Sequence, residues 1–186
     1  EITAPTSNVN TITPYFYKTT PLSISATSSD GAAPASGVAF VALYYRFSSP
    51  TTGTFGAWTL FQNDTIAPFG PFSFTWPSGQ GFYEFYTRAG DLAGNYEAAP
   101  ANPGDDNAMY DLTGPTSNVN AITPYFCRTT PLTITVTSSD AAPSSGLAFV
   151  SLWYRYSSPT NATWGAWTLF SNDTLAPFGP FSFTWP

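Results

Sequence analysis

The stretch Gly81-Phe82-Tyr83-Glu84-Phe85-Tyr86-Thr87-Arg88-Ala89-Gly90-Asp91 decides how the chain is read. Tyr83, Phe85, Thr87 and Ala89 alternate with Phe82, Glu84, Tyr86 and Arg88, and a period of two sends alternate side chains to opposite faces of a strand. Outward from it, the same period recurs between clusters of Gly, Pro, Ser and Asp. Leu22-Ser23-Ile24-Ser25-Ala26-Thr27 alternates apolar with small polar residues. Val38 to Phe47 sets Val41, Leu43, Tyr45 and Phe47 against Ala42, Tyr44 and Arg46. Trp58 to Phe61 reads as a short strand, and Phe72, Phe74 and Trp76 alternate with Ser73 and Thr75. An irregular first strand crosses Ser7 to Ile12, and a last one lies near Tyr96 to Ala99. Helical periodicity is absent.

The chain also contains itself almost twice. Glu1 to Pro77 returns as Asp111 to Pro186, with one residue dropped near Gly31 and roughly three quarters of the paired positions identical. The 186 residues therefore divide into two domains: a complete repeat over 1–110, a linker at about 100–112, and a second repeat over 111–186. Ser78 to Tyr110, the stretch holding the aromatic alternation, has no counterpart in the second repeat.

About seven short strands with turn signals every 8–12 residues predict an all-β fold, tandem immunoglobulin-like antiparallel sandwiches, with a small closed barrel as the alternative. The segment Gly81 to Glu97, with its Asp91-Leu92-Ala93-Gly94-Asn95 turn, resembles the end of the Ig-like or fibronectin-III-like repeats of large prokaryotic cell-surface proteins. Thr3-Ala4-Pro5 (Thr113-Gly114-Pro115) and the Asp30…Ser36-Gly37-Val38 hairpin entry resemble them too. The resemblance implies extracellular architecture and adhesion rather than chemistry. It also implies a corner role for Tyr83, whose hydroxyl would bond nearby backbone.

In such a sandwich the second repeat lacks its last two strands. Their removal exposes one edge of Leu147 to Tyr156 and the apolar faces of Leu132, Ile134, Phe181 and Phe183. Each large side chain so exposed costs about 1.5–3 kcal/mol, against a domain stability of about 5–15 kcal/mol. The expectation is that the second core is completed from outside this segment. The polypeptide continuing beyond Pro186 and a strand from a neighbouring chain are the two sources, and poor order of this repeat is the third reading. With neither an initiator Met nor a signal peptide, the chain reads as a mature segment or a piece of something longer.

Composition narrows function. A net charge of −6 with five basic residues excludes nucleic acid, which requires clustered cations. No apolar run is long enough for a transmembrane helix. With no His, one Cys and one Lys, the Ser–His, Cys–His and Zn–His constellations are excluded, and no enzyme is expected. Asp30, Asp64, Asp91, Asn95, Asp105, Asp106, Asp111, Asp140 and Asp173 sit in loops expected at domain ends. They are candidates for a structural calcium ion; the competing reading is that each serves its own turn. Asn63, Asn161 and Asn172 head N-x-Thr glycosylation sequons. Tyr44, Arg46, Phe82, Glu84 and Tyr86 fall on the outward face of one strand pair, with Trp153 and Arg155 in the same register of the second repeat. They form a candidate interface, with a sugar platform and ordinary loop-covered surface as alternatives. Cys127, opposite Tyr17 in the alignment, is a candidate intermolecular crosslink or a lone packed thiol. The expected function is structural: a repeat of an archaeal or bacterial surface protein, filament or glycoprotein, in contact with its own copies or further repeats. A carbohydrate-binding or adhesin module is the alternative.

Overall fold

The computed structural model describes residues 2–32, 34–99, 103–160 and 162–185. It is all-β, with no helix among the described residues. Two compact units divide at Leu112/Thr113.

Unit 1 is built from β1 (Thr6–Val9), β2 (Phe16–Tyr17), β3 (Leu22–Ile24), β4 (Ala26–Ser29), β5 (Val38–Ser48), β6 (Thr59–Asp64), β7 (Phe72–Phe74), β8 (Gly81–Asp91) and β9 (Asp106–Tyr110). One sheet has the order β2-β9-β8-β5-β6; β1 pairs β4 and β3 pairs β7 in two short sheets. The stretch Leu22 to Thr27, expected as one strand, is two. The chain breaks at Ser25, whose carbonyl accepts the Asn10 N–H at 2.9 Å, so β3 and β4 take different partners.

The larger departure is at the end of the unit. Tyr96 makes only an isolated bridge to Gly90, whereas the last strand, β9, lies inside the stretch read as a linker. It runs antiparallel to β8 and parallel to β2, so Ala108, Met109 and Tyr110 are buried on both faces. The flanking Pro103-Gly104-Asp105-Asp106 has linker composition, but Asp105 N–H already bonds the Phe85 carbonyl at 2.8 Å.

The sheets pack in a β-sandwich-like manner around Ile24, Leu43, Phe72, Phe74, Tyr83 and Phe85. Phe74 sits at the centre, edge-on to Phe85 at 4.9 Å and to Tyr45 at 5.3 Å, the geometry that suits aromatic quadrupoles. The Tyr83 hydroxyl bonds nearby backbone. It donates to the Gly79 carbonyl at 2.7 Å and accepts the Ser78 N–H at 3.1 Å. Burial pushes its pKa up to about 12.

Unit 2 repeats the first part of this plan with β10 (Thr116–Val119), β11 (Leu132–Ile134), β12 (Val136–Ser139), β13 (Val150–Tyr154), β14 (Thr168–Asp173) and β15 (Phe181–Phe183). The pairs are β10–β12, β11–β15 and β13–β14. Within what remains, packing is reproduced: Tyr154 lies 5.3 Å from Phe183 as Tyr45 lies 5.3 Å from Phe74.

Candidate binding groove

In unit 1 the outward face of β5 and β8 is not open. Tyr44 stacks on Tyr86 at 4.8 Å, and Arg46 Nε donates to Glu84 Oε2 at 2.7 Å across the strand pair. The Phe55–Trp58 segment then folds back over them, anchored by the Gly56 N–H to the Phe47 carbonyl at 2.9 Å. Trp58 meets Tyr86 edge-on at 4.6 Å, and the Arg46 guanidinium lies 4.9 Å from the Phe55 ring and 4.7 Å from that of Trp58. Tyr86 is consequently buried, and burial raises its pKa. The interface expected at Tyr44, Arg46, Glu84 and Tyr86 is therefore covered by the chain's own strap, while Phe82 stays half-buried beside Met109 of β9.

Unit 2 forms the same strap. The Gly165 N–H bonds the Tyr156 carbonyl at 2.8 Å, and the Arg155 guanidinium lies 4.8 Å from Trp164 and 4.9 Å from Trp167. Among the described residues no strand of unit 2 corresponds to β8 or β9. Val9, Ile12 and Trp76 are 7%, 8% and 3% exposed; their counterparts Val119, Ile122 and Trp185 are 50%, 40% and 56% exposed. Together with Leu132, Trp153 and Phe183 they line a groove of about 320 Å³. The exposure does not fall where the sequence placed it. Ile134, Phe181 and Phe183 stay buried and Leu132 is half-buried, because β11 and β15 still face β13 and β14. The margin at Val119, Ile122 and Trp185 is what is exposed.

The carboxylates have a use of their own. In unit 1, β1 runs beside β8 without a backbone ladder. Three acidic residues tie its edge instead: Ser7 N–H donates to Glu97 at 2.9 Å, Val9 N–H to Asp105 at 3.0 Å and Ile12 N–H to Asp106 at 2.6 Å. Glu97 and Asp105 also accept the Ala89 and Thr87 N–H groups of β8, each at 3.0 Å. Such charge-assisted bonds close the seam between the sheets. Sequence reading missed Glu97 altogether, since nothing local links it to Ser7.

The remaining acidic candidates serve turns. Asp64 accepts from Ile66 and Gly70 N–H, Asp173 from Leu175 and Gly179 N–H, and Asp30 and Asp140 from Gly37 and Gly146 N–H. Asp91 accepts the N–H and the side-chain amide of Asn95 at 2.7 and 2.8 Å. Burial disfavours the Asp91 charge, but the bonds from Asn95, Ala93 and Gly94 outweigh it, and its pKa lies below the ordinary carboxylate value. At Asp173 the Gly179 and Leu175 bonds act in the same direction. Asp111 is buried, its N–H on the Tyr17 carbonyl at 2.8 Å. No group of three or more potential metal-ligating His, Cys, Asp or Glu side chains occurs among the described residues.

Asn63 and Asn172 are exposed, on the edge strands β6 and β14 rather than in loops, and Asn172 accepts the Ser151 hydroxyl at 2.6 Å. Asn161 lies outside the described residues. Cys127 is a free, half-buried thiol 3.2 Å from the Pro124 carbonyl. No family model matches this chain, and no curated protein or solved structure resembles it closely enough to count as a match.

Proposed function

We propose that the chain is a structural repeat segment of an extracellular surface protein or filament. It presents β-sandwich-like units in series and makes contacts between subunits through strand edges and aromatic faces. The observation that carries this reading is the repetition itself: two near-identical all-β units in one chain. The five-stranded sheet ends in the unpaired edges of β2 and β6, and Tyr15 and Phe16 are exposed beside β2. An unpaired strand edge next to exposed aromatic surface is a template for association. The chain's few charges and single Lys fit a rigid surface polymer.

Electron microscopy and sedimentation of the purified chain test the reading: regular fibres or layers, growing with concentration, are expected. A monodisperse monomer at every concentration up to the millimolar range overturns it. A second reading, a carbohydrate-binding or adhesin module, draws on the exposed Trp153, Trp164 and Trp167. Specific, saturable glycan binding that is lost in Trp164→Ala and Trp167→Ala favours it over the structural reading.

A further inference from the structure

Two of the three sequons, at Asn63 and Asn172, stand at one register position of the repeat. β6 pairs β5 with Leu60 opposite Tyr44 and Asn63 opposite Ala42; β14 pairs β13 with Leu169 opposite Trp153 and Asn172 opposite Ser151. Tyr44 stacks on Tyr86 on the outer face of the sheet, and cross-strand partners share a face. Leu60 and Asn63 therefore project from that outer face too. Among the described residues β6 and β14 are each paired on one side only, so the sequons sit on free strand edges.

Within each motif the side chains divide their work alike. The middle carboxylate turns back into its own loop, Asp64 accepting Ile66 and Gly70 N–H and Asp173 accepting Leu175 and Gly179 N–H. The flanking residues are left outside: Asn63, Thr65, Asn172 and Thr174 are all exposed. Asn172 spends its oxygen on the Ser151 hydroxyl at 2.6 Å, while its Nδ2 and that of Asn63 have no hydrogen-bond partner among the described residues. Asparagines outside the sequons put that nitrogen to use. Asn10 donates it to Ser25 at 3.0 Å, Asn95 to Asp91 at 2.8 Å and Asn120 to Thr135 at 3.1 Å. The atom that bears an N-linked sugar thus faces solvent at both sites, and the fold asks nothing of it.

We propose that Asn63 and Asn172 carry N-linked glycans and that these cap the free edges of β6 and β14. The donor is a sugar activated on a lipid-linked phosphate. Nδ2 bonds to its anomeric carbon, and the bond from that carbon to the phosphate oxygen breaks. The lipid phosphate leaves with the electron pair, and the amide gives up one proton to a base of the transferase. A bare edge is a template for pairing with other strands, which natural sheets prevent with charge or cover. β6 and β14 contain no basic residue, and Leu60 and Leu169 are 50% and 42% exposed on them. A sugar rooted on the same strand covers both the leucine and the edge. This inference rests on the extracellular reading above for export past the transferase. With β6 capped, β2 is the edge of the five-stranded sheet left for subunit contact.

Protein purified from the cells that make it, digested and mapped by mass, should carry sugar on Asn63 and Asn172. Bare asparagine at either position overturns the proposal. Capping is read from the variants Thr65→Ala and Thr174→Ala made in the same cells. Each removes one sequon at an exposed residue just past its strand, so neither strand is altered. Thr65→Ala should free β6 alone, and Thr174→Ala β14 alone. Hydrogen exchange in the freed strand should slow about threefold or more as the chain is concentrated to about 100 μM, through edge pairing that the sugar otherwise blocks. Exchange that responds to concentration equally with and without the sugar overturns the capping role. Fibres built from a chain with bare Asn63 and Asn172 remove this inference and leave the structural reading standing. A glycosylated chain that stays monomeric at every concentration does the reverse.

Discussion

Tyr83 shows how one hydroxyl closes a corner. It is fully buried and satisfies both Ser78 N–H and Gly79 C=O, so Tyr83→Phe leaves two backbone groups without their partner. The expected loss is about 1 kcal/mol of unit 1 stability, read from denaturant melts. Its raised pKa adds a pH signature. The contribution is complete below the ordinary value of 10.0 and is lost as pH rises through about 12, because the unfolded phenol ionises first. Tyr83→Phe should therefore flatten the fall in stability across that window. Asp91 acts at the acid end. Its folded-state pKa is depressed below 3.8, so its contribution is present above that value and is lost as pH falls below it. Asp91→Asn should lower the melting temperature at pH 7 and weaken the acid dependence below the ordinary carboxylate value of 3.8. An unchanged acid limb would show that the Asn95 bonds carry no stability.

At the scale of elements, strands exist where partners exist. β5 runs eleven residues because β8 pairs along all of it, whereas β13, with β14 alone, runs five. β2 and β9 form together, and β9 reaches its place through Gly104. A Cβ there would stand 2.5 Å from the Phe85 carbonyl oxygen and 2.8 Å from the Trp58 ring. The carbonyl is backbone and cannot yield cheaply. Gly104→Ala should cost about 1–3 kcal/mol through overpacking, with faster hydrogen exchange in β2 and β9 than in β5. Uniform exchange along all three strands would mean that β9 does not depend on this approach.

In the whole molecule the two units bury equivalent side chains unequally. Exposing Val119, Ile122 and Trp185 forfeits about 1.5–3 kcal/mol for each side chain that unit 1 buries, a large part of a typical domain's stability of about 5–15 kcal/mol. Calorimetry of the full chain should therefore show two transitions, unit 2 melting first, and limited proteolysis should cut near β13 while Thr6–Leu112 survives. A single transition with both units equally resistant would mean that these exposed side chains cost unit 2 no stability.

The amino-acid order alone determined the local features. The all-β character, the strand carrying Tyr83 and Phe85, and the Asp91–Asn95 turn all follow from residues within a few positions of one another, and the duplication from a direct comparison of the two halves. Side-chain alternation and turn chemistry act over that range. Only the tertiary structure decided that Asp106–Tyr110 is a strand rather than a linker. It also decided that Glu97 and Asp105 stitch β1 to β8, that Asp106 holds Ile12, that Tyr86 lies under its own strap, and that Val119, Ile122 and Trp185 are exposed in the second repeat. Those contacts join groups as far apart as 90, 96 and 94 positions along the chain. A carboxylate's choice between solvent, metal and backbone N–H is settled by what folding brings beside it, and local pattern carries no record of that neighbour.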